Sequence, residues 1–167
     1  MDLAALTTPA GVIEVCVDRG ELVSLRFVEE SSAPPEEPTS RGDPSGILTA
    51  LAAYFAGDLV ALAPIPVRFE RGTAFQHDVW GALRQIPVGE TISYAELARR
   101  VGRPSAFRAV GSANGQNPIG IVVPCHRVIA ADGKLGGYAG GLDRKRWLLA
   151  HEGAMASPPA VASDMGA

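Results

Sequence analysis

The sequence predicts an α/β N-terminal domain, a small antiparallel sheet plus a helix, followed by a mainly helical C-terminal domain that carries a helix-turn-helix. Three observations lead there. Two alternating apolar runs flank the turn Asp18-Arg19-Gly20, as paired half-buried strands do. "ILTALAAYFAG" then has helical spacing, with Leu48, Leu51, Ala52 and Phe55 on one face. Beyond residue 72, successive helical runs each begin at a residue suited to cap a helix N-terminus.

In the hairpin, Val15 and Val17 alternate with Glu14, Cys16 and Asp18, and Val23, Leu25 and Phe27 alternate with polar neighbours. Cys16 is expected to be structural there. Residues 31–46, rich in Pro, Ser and acids, read as a flexible loop. The helix of residues 47–56 stops at Gly57, and "APIPVRF" suits a short edge strand or an extended linker. A domain boundary near Gly72 gives an N-terminal domain 1–72, a C-terminal domain 73–155 and a disordered tail 156–167.

Thr73 caps a predicted helix carrying Phe75, Val79, Trp80, Leu83 and Ile86, which ends at the turn Pro87-Val88-Gly89-Glu90. Ser93-Tyr94-Ala95-Glu96 fits the capping box S-x-x-E and opens a helix with Leu97 and Val101, closed by Gly102. Ser105 is the expected cap of a third helix, "AFRAVGSANG". These last two form the helix-turn-helix candidate. The third helix is nearly bare around Arg108, which suits close packing against another helix or close approach to a nucleic-acid groove.

At 47% hydrophobic and 20% charged over 167 residues, the composition is that of a folded protein. No apolar run approaches the roughly 20 residues of a membrane span, and no charged, then apolar leader opens the chain. A cytoplasmic location without membrane contact is expected, with Cys16 and Cys125 as free thiols. The net charge of -3 hides an asymmetry: residues 1–72 carry 5 Lys/Arg and 11 Asp/Glu, whereas residues 73–155 carry 10 and 6. A basic half that includes Arg99, Arg100, Arg103, Arg108, Arg127, Lys134, Arg144, Lys145 and Arg146 is a solvated surface or a footprint for an anionic partner such as nucleic acid.

The stretch "IVVPCHRVIA" (121–130) poses a chemical question. An apolar β-branched run, expected to form a buried strand, is interrupted by Pro124, Cys125, His126 and Arg127. A free thiol has a pKa near 8.5, so nucleophilic work needs a base or cation nearby. Strand neighbours point to opposite faces, so His126 reaches the thiol only if the chain turns there or a water bridges. Glu152, in the last turn of a helix running from about Asp143 to Gly153, could orient the histidine. A carboxylate there opposes the helix dipole, which favours a functional reading of it. Among Cys16, Cys125, His77, His126 and His151 no pair has ligand spacing such as C-x2-C or H-x3-H, so neither metal nor cofactor is expected. Taken alone, Pro-Cys-His-Arg favours a structural thiol over a nucleophile.

The longer stretch "NPIGIVVPCHRVIAADGKLGGYAGGLDRKRWLLAHEG" closely resembles the active-site region of O6-alkylguanine-DNA alkyltransferases, also called methylated-DNA–protein-cysteine methyltransferases. The resemblance runs from about Phe75 to Gly153 and is most specific at PCHRV; "T-x-x-G" at Thr8-Pro9-Ala10-Gly11 fits the N-terminal half more loosely. It implies a winged helix-turn-helix C-terminal domain and a single-turnover transfer of an alkyl group from O6 of guanine to Cys125. His126 is then the base, acting through a water, and Glu152 orients it. Asn117 ties the helix to the active-site segment, and Tyr94 donates to the flipped base. Val128, Tyr138 and the amide of Ala139 wall the pocket with Tyr94. Arg108 fills the space left in the duplex, with Ser93, Ala106, Phe107, Ala109 and Gly111 against the minor groove. The implied partner is double-stranded DNA containing O6-alkylguanine, bound by a monomer without cofactor.

Two positions depart from the family pattern. Phe107 is bulkier than the small residue expected beside the arginine and could instead face the core, and Ala139 replaces a serine found in some members. The zinc ligands of some relatives' N-terminal domains have no counterpart in residues 1–72. Two rival readings are a non-enzymatic binder of damaged DNA with the same fold and a winged-helix regulator with a structural thiol. The presence of Cys125 argues against the first; the second leaves Tyr94, Asn117, Cys125, His126 and Glu152 unexplained.

Overall fold

The structure, a computed structural model, describes residues 2–29 and 46–155. The predicted loop, Gly46 apart, and the predicted tail lie outside these residues. The chain divides into two compact units, Met1–Arg71 with Pro118–Val122, and Gly72–Asn117 with the chain from Val123 onward.

The first unit is built on a three-stranded antiparallel sheet of order β1-β2-β3: β1 Asp2–Thr8, β2 Gly11–Asp18 and β3 Glu21–Val28. The expected hairpin is β2–β3, and its turn has both Arg19 and Gly20 at positive φ, 53° and 80°, the type I′ geometry that matches strand twist. The strand β1 is not apparent from the sequence, because Ala4 and Ala5 dilute its apolar pattern and alanine is a poor strand former. It is joined to β2 by a tight turn in which Thr8 Oγ1 donates to Gly11 O at 2.6 Å and accepts from Ala10 N at 3.1 Å. A register shift between Cys16 and Val17 breaks the predicted alternation, so Val15 and Cys16 are both buried while Val17 is not.

Helix α1, Ile47–Phe55, buries Ile47, Leu51 and Tyr54 rather than the expected face of Leu48, Leu51, Ala52 and Phe55. Starting at Ile47, the i, i+4, i+7 positions fix that face. The other edge of β3 takes two short parallel bridges, Leu22 with Val67 and Leu25 with Ile119. "APIPVRF" is thus an edge segment, with Leu22 N donating to Pro66 O and Arg68 N to Leu22 O. The Arg68 guanidinium gathers Asp18, Glu21 and Glu70.

The second unit holds α2 Ala74–Leu83, β4 Ile92–Ser93, α3 Tyr94–Arg100, α4 Phe107–Gly115, β5 Val128–Ile129 and α5 Leu142–His151. Thr73 caps α2 through a reciprocal box with Gln76: Gln76 N donates to Thr73 Oγ1 at 3.1 Å and Thr73 N to Gln76 Oε1 at 2.9 Å. Ser93 Oγ accepts from Glu96 N at 3.0 Å to start α3, while the Glu96 carboxylate turns to Arg99 and Arg100. The expected cap of α4, Ser105, does not cap it. Ala106 occupies the N-cap with no side-chain bond, because a turn closed by Ala106 N on Arg103 O, 2.9 Å, carries the chain past Ser105 before the helix starts. Trp80 Nε1 donates to Ala113 O at 2.8 Å and locks α2 to α4. The pair β4–β5 is parallel and sets Ile92 beside Val128 and Ser93 beside Ile129.

The run 121–130 is not the buried strand its composition predicts. Ile121 stands at φ 67°, Val122 N turns back to Gly120 O at 2.7 Å, and Cys125 N to Val123 O at 2.8 Å. A single 3-10 turn, Cys125–Arg127, follows, and only Val128 and Ile129 are extended. Ile121, Val122, Val123 and Val128 are buried all the same. Pro124 offers no N–H to a ladder, and consecutive tight turns take the place of cross-strand pairing.

Candidate active site

Cys125 heads that 3-10 turn and is 7% exposed. Such a turn separates successive side chains by about 120° rather than the 180° of a strand, so Cys125 and His126 need not face opposite sides. Burial pushes the thiol up; an Asn117 hydrogen bond and the Lys145 ammonium pull it back down. Asn117 Nδ2 also donates to Val123 O at 2.8 Å, and Asn114 Nδ2 reaches Cys125 O at 3.4 Å. Two amides from the end of α4 therefore hold the main chain on both sides of the nucleophile.

His126 and Glu152 are fully buried side chains joined from His126 Nε2 to Glu152 Oε2 at 2.9 Å. Arg127 grips the same carboxylate with both prongs, Nε to Oε1 at 2.8 Å and one terminal nitrogen to Oε2 at 2.9 Å. Its other terminal nitrogen donates to Ile86 O at 2.7 Å. Burial would raise the Glu152 carboxyl, but His126 and Arg127 hold it well below the usual range. An ionised carboxylate only accepts, so the histidine proton sits on Nε2. Burial lowers His126, against the pull of Glu152, and its Nδ1 makes no hydrogen bond to a protein group. The result is a neutral imidazole with its basic nitrogen unengaged.

Lys145 is fully buried on α5, and its ammonium donates to Val128 O at 2.7 Å, to Leu135 O and to Gly137 O at 3.1 Å. It thereby fixes the loop that carries Tyr138, whose ring stands edge-on to His126 at 6.4 Å. The same loop packs on Tyr94, whose phenol accepts a bond from the Gly137 amide. Gly136 has φ 70°, and a Cβ there would lie 2.8 Å from Tyr94 Oη; only glycine allows this approach.

The titrations set a pH window for stability. His126 falls below its ordinary 6.5 on folding, so the unfolded chain binds more protons once pH drops below about 6.5. Cys125 rises above its ordinary 9.0, so the folded chain keeps a proton that the unfolded chain loses above about 9. Thermal midpoints measured across pH are expected to fall below about 6.5; above about 9 Cys125 lowers them, against a rise from Lys145, whose ammonium is lowered to about 8 by burial. Cys125→Ser is expected to shrink that alkaline lowering.

Residues 74–154 match the family model described as 6-O-methylguanine DNA methyltransferase, DNA binding domain. A methylated-DNA–protein-cysteine methyltransferase of Mycolicibacterium paratuberculosis is 45% identical over 155 residues, 91% of this chain and 92% of its own length. The chain belongs to the methylated-DNA–protein-cysteine methyltransferase family. A Salmonella typhimurium methyltransferase of that name is 55% identical over 117 residues, 70% of this chain and 68% of its own. Among solved structures, Mycobacterium tuberculosis OGT in complex with DNA matches with a TM-score of 0.76 and 44% identity, covering 96% of this chain and 97% of that one.

Of the residues the sequence points to as methyltransferase machinery, Cys125, His126, Glu152, Asn117, Tyr94 and Tyr138 all fall in the second unit. Val128 contributes its carbonyl to Lys145, and Ala139 is exposed beside Tyr138. On α4, Arg108 and Ala109 are exposed and Phe107 is 50% exposed, so Phe107 does not face the core. The Arg108 guanidinium lies 6.0 Å from the Phe107 ring. Gly111 sits against Tyr94, where a Cβ would meet ring carbons at 3.6 and 3.8 Å. Ser93 and Ala106 are half-buried at the starts of α3 and α4. Among the described residues no group of His, Cys, Asp and Glu is placed to hold a metal ion, and no helix is long and apolar enough to cross a membrane.

Sequence reasoning missed three residues. Asn114 gave no signal. Arg127 and Lys145 were counted with the basic surface, yet both are buried. Lys145 did carry a sign of this: Lys145, Leu148, Leu149 and Glu152 recur at i, i+3, i+4, i+7, one buried helix face.

Proposed function

We propose that this methyltransferase repairs alkylated DNA by moving an alkyl group, methyl foremost, from O6 of guanine onto its own Cys125, irreversibly and once per molecule. One observation carries the reading most directly: a buried thiol adjoins a neutral histidine whose far nitrogen is fixed by an ionised carboxylate. His126 takes the thiol proton on Nδ1 through a water. The thiolate sulfur attacks the alkyl carbon, an S–C bond forms, and the C–O6 bond breaks with its electron pair left on guanine. Tyr94, its phenol above its ordinary value through burial and the neighbouring Cys125, keeps its proton available to donate to the departing base.

The O6 atom is out of reach in stacked DNA, so the nucleotide must be flipped out at a cost of a few kcal/mol. We read α3 and α4 as the helix-turn-helix of a winged domain. Arg108 enters the duplex from the minor groove, with Ser93, Ala106, Phe107, Ala109 and Gly111 around it. The exposed Arg99, Arg100, Arg103 and Arg108 supply phosphate affinity without sequence preference; buried Arg127 and Lys145 do not. Val128, Tyr138 and the Ala139 amide wall the pocket. The DNA complex of the Mycobacterium tuberculosis relative supports this partner. The free thiols Cys16 and Cys125 suit a monomer acting in the cytoplasm.

Intact mass after incubation with an oligonucleotide containing O6-methylguanine tests the proposal. One methyl group per chain, mapped to Cys125, is the expected result. An unchanged mass after prolonged incubation, with binding to the damaged strand retained, would instead favour a non-enzymatic damage binder.

A further inference from the structure

We infer that Arg127 is a positioning residue of the transfer: by holding both oxygens of Glu152 it keeps that carboxylate an acceptor only, so the proton leaving Cys125 stops at His126. The inference rests on the alkyl-transfer reading and adds to it a residue with its own role.

Glu152 Oε1 receives Arg127 Nε, and Oε2 receives both the second prong of Arg127 and His126 Nε2. This fork-to-fork pairing is the strongest geometry available between a guanidinium and a carboxylate. The bond from the remaining nitrogen to Ile86 O anchors the guanidinium on the segment just past α2, so its direction is set independently of Glu152. Without Arg127 the carboxylate would lose its fork at the C-cap of α5, where the helix dipole makes a carboxylate more basic. The pair could then share the Nε2 proton or trap a proton on the imidazole at rest, and either state leaves no unengaged base for the thiol.

The groups that face His126 make the balance explicit. Glu152 and Lys145 come from α5, Arg127 and Cys125 from its own turn, and the Tyr138 phenol from the loop. With two cations and one carboxylate, this cluster carries one net positive charge before Cys125 ionises and is neutral afterwards. Removing Arg127 makes it neutral before and negative afterwards, which disfavours the thiolate and favours a protonated His126.

The test compares wild type with Arg127→Gln and Arg127→Lys, each first checked for a cooperative thermal transition. Nitrogen-15 NMR of His126 reports its tautomer, and two rates are followed against pH: Cys125 alkylation by iodoacetamide and methyl uptake from DNA. In wild type, Nε2 is expected to carry the proton while Nδ1 does not. In Arg127→Gln the acid limb of both rates is expected to rise by about one pH unit, with about tenfold slower uptake at pH 7. Arg127→Lys, which keeps charge but not the fork, is expected to fall between. A folded variant whose rates drop equally at every pH, or do not drop, overturns the inference, as does a wild-type His126 protonated on Nδ1. If Arg127→Gln fails to fold, the rate profiles of Arg127→Lys carry the test. Wild type that takes no methyl group from DNA would count against the alkyl-transfer reading, while the tautomer and the iodoacetamide profile would still judge Arg127.

Discussion

Cys125→Ser is expected to take up no alkyl group from methylated DNA while remaining folded and able to bind it. A serine hydroxyl is smaller but similarly shaped, and the main chain around it is held by bonds its side chain does not make: Asn117 to Val123 O, Asn114 to Cys125 O, and the turn closed on Val123 O. What disappears is the nucleophile. A hydroxyl is a far weaker acid than a thiol and lacks its intrinsic nucleophilicity, and the one neutral histidine beside it cannot make good that difference. Intact mass should show no adduct after times that fully modify wild type, with gel-shift affinity for the damaged duplex within about threefold of wild type, less than 1 kcal/mol. Loss of DNA binding together with transfer would mean that Cys125 holds the fold of the site rather than reacting.

Glu152→Ala is expected to be the most destabilising single change in the site. It strands the Arg127 guanidinium, which is 8% exposed, and strips the His126 Nε2 proton of its acceptor. Breaking a buried ion pair by removing one member costs about 3–5 kcal/mol, a large share of the 5–15 kcal/mol that holds a typical domain together. Urea unfolding should show the midpoint falling without a change of slope. Transfer in the surviving folded fraction should also be severely slowed, because the imidazole is free to adopt either tautomer. If Glu152→Ala unfolds at the wild-type urea concentration, the carboxylate is not the buried partner of Arg127.

Much of the local structure was legible because short-range chemistry decides it. Arg19-Gly20 turns a hairpin, Thr73 caps a helix, and Gly102 ends a helix. Glu152 stood out because it opposes a dipole, and only Arg127, met across the fold, shows what offsets the cost. The segment around Cys125 misled for the same reason that it matters. Its β-branched residues have strand composition, yet Gly120, Ile121 at positive φ and Pro124 fold them into turns that only tertiary packing can specify. Arg127 and Lys145 read as surface charge because composition counts a cation without knowing its acceptors. The roles of Asn117, Tyr94 and Tyr138 came from the family resemblance; spacing alone did not supply them.

The Lys145 ammonium has three N–H groups and three backbone carbonyls to receive them, from β5 and from two points on the loop before α5. It behaves like a small non-covalent cross-link, in the way a bound ion ties strands that have no ladder between them. Helix, loop and strand are therefore coupled in their motions. The loop that carries Tyr138 is not expected to swing out alone, because opening it would leave a naked ammonium in the protein interior. Joint loosening of α5 with its loop is the expected opening motion, a slower and rarer event than the flicker of a surface segment.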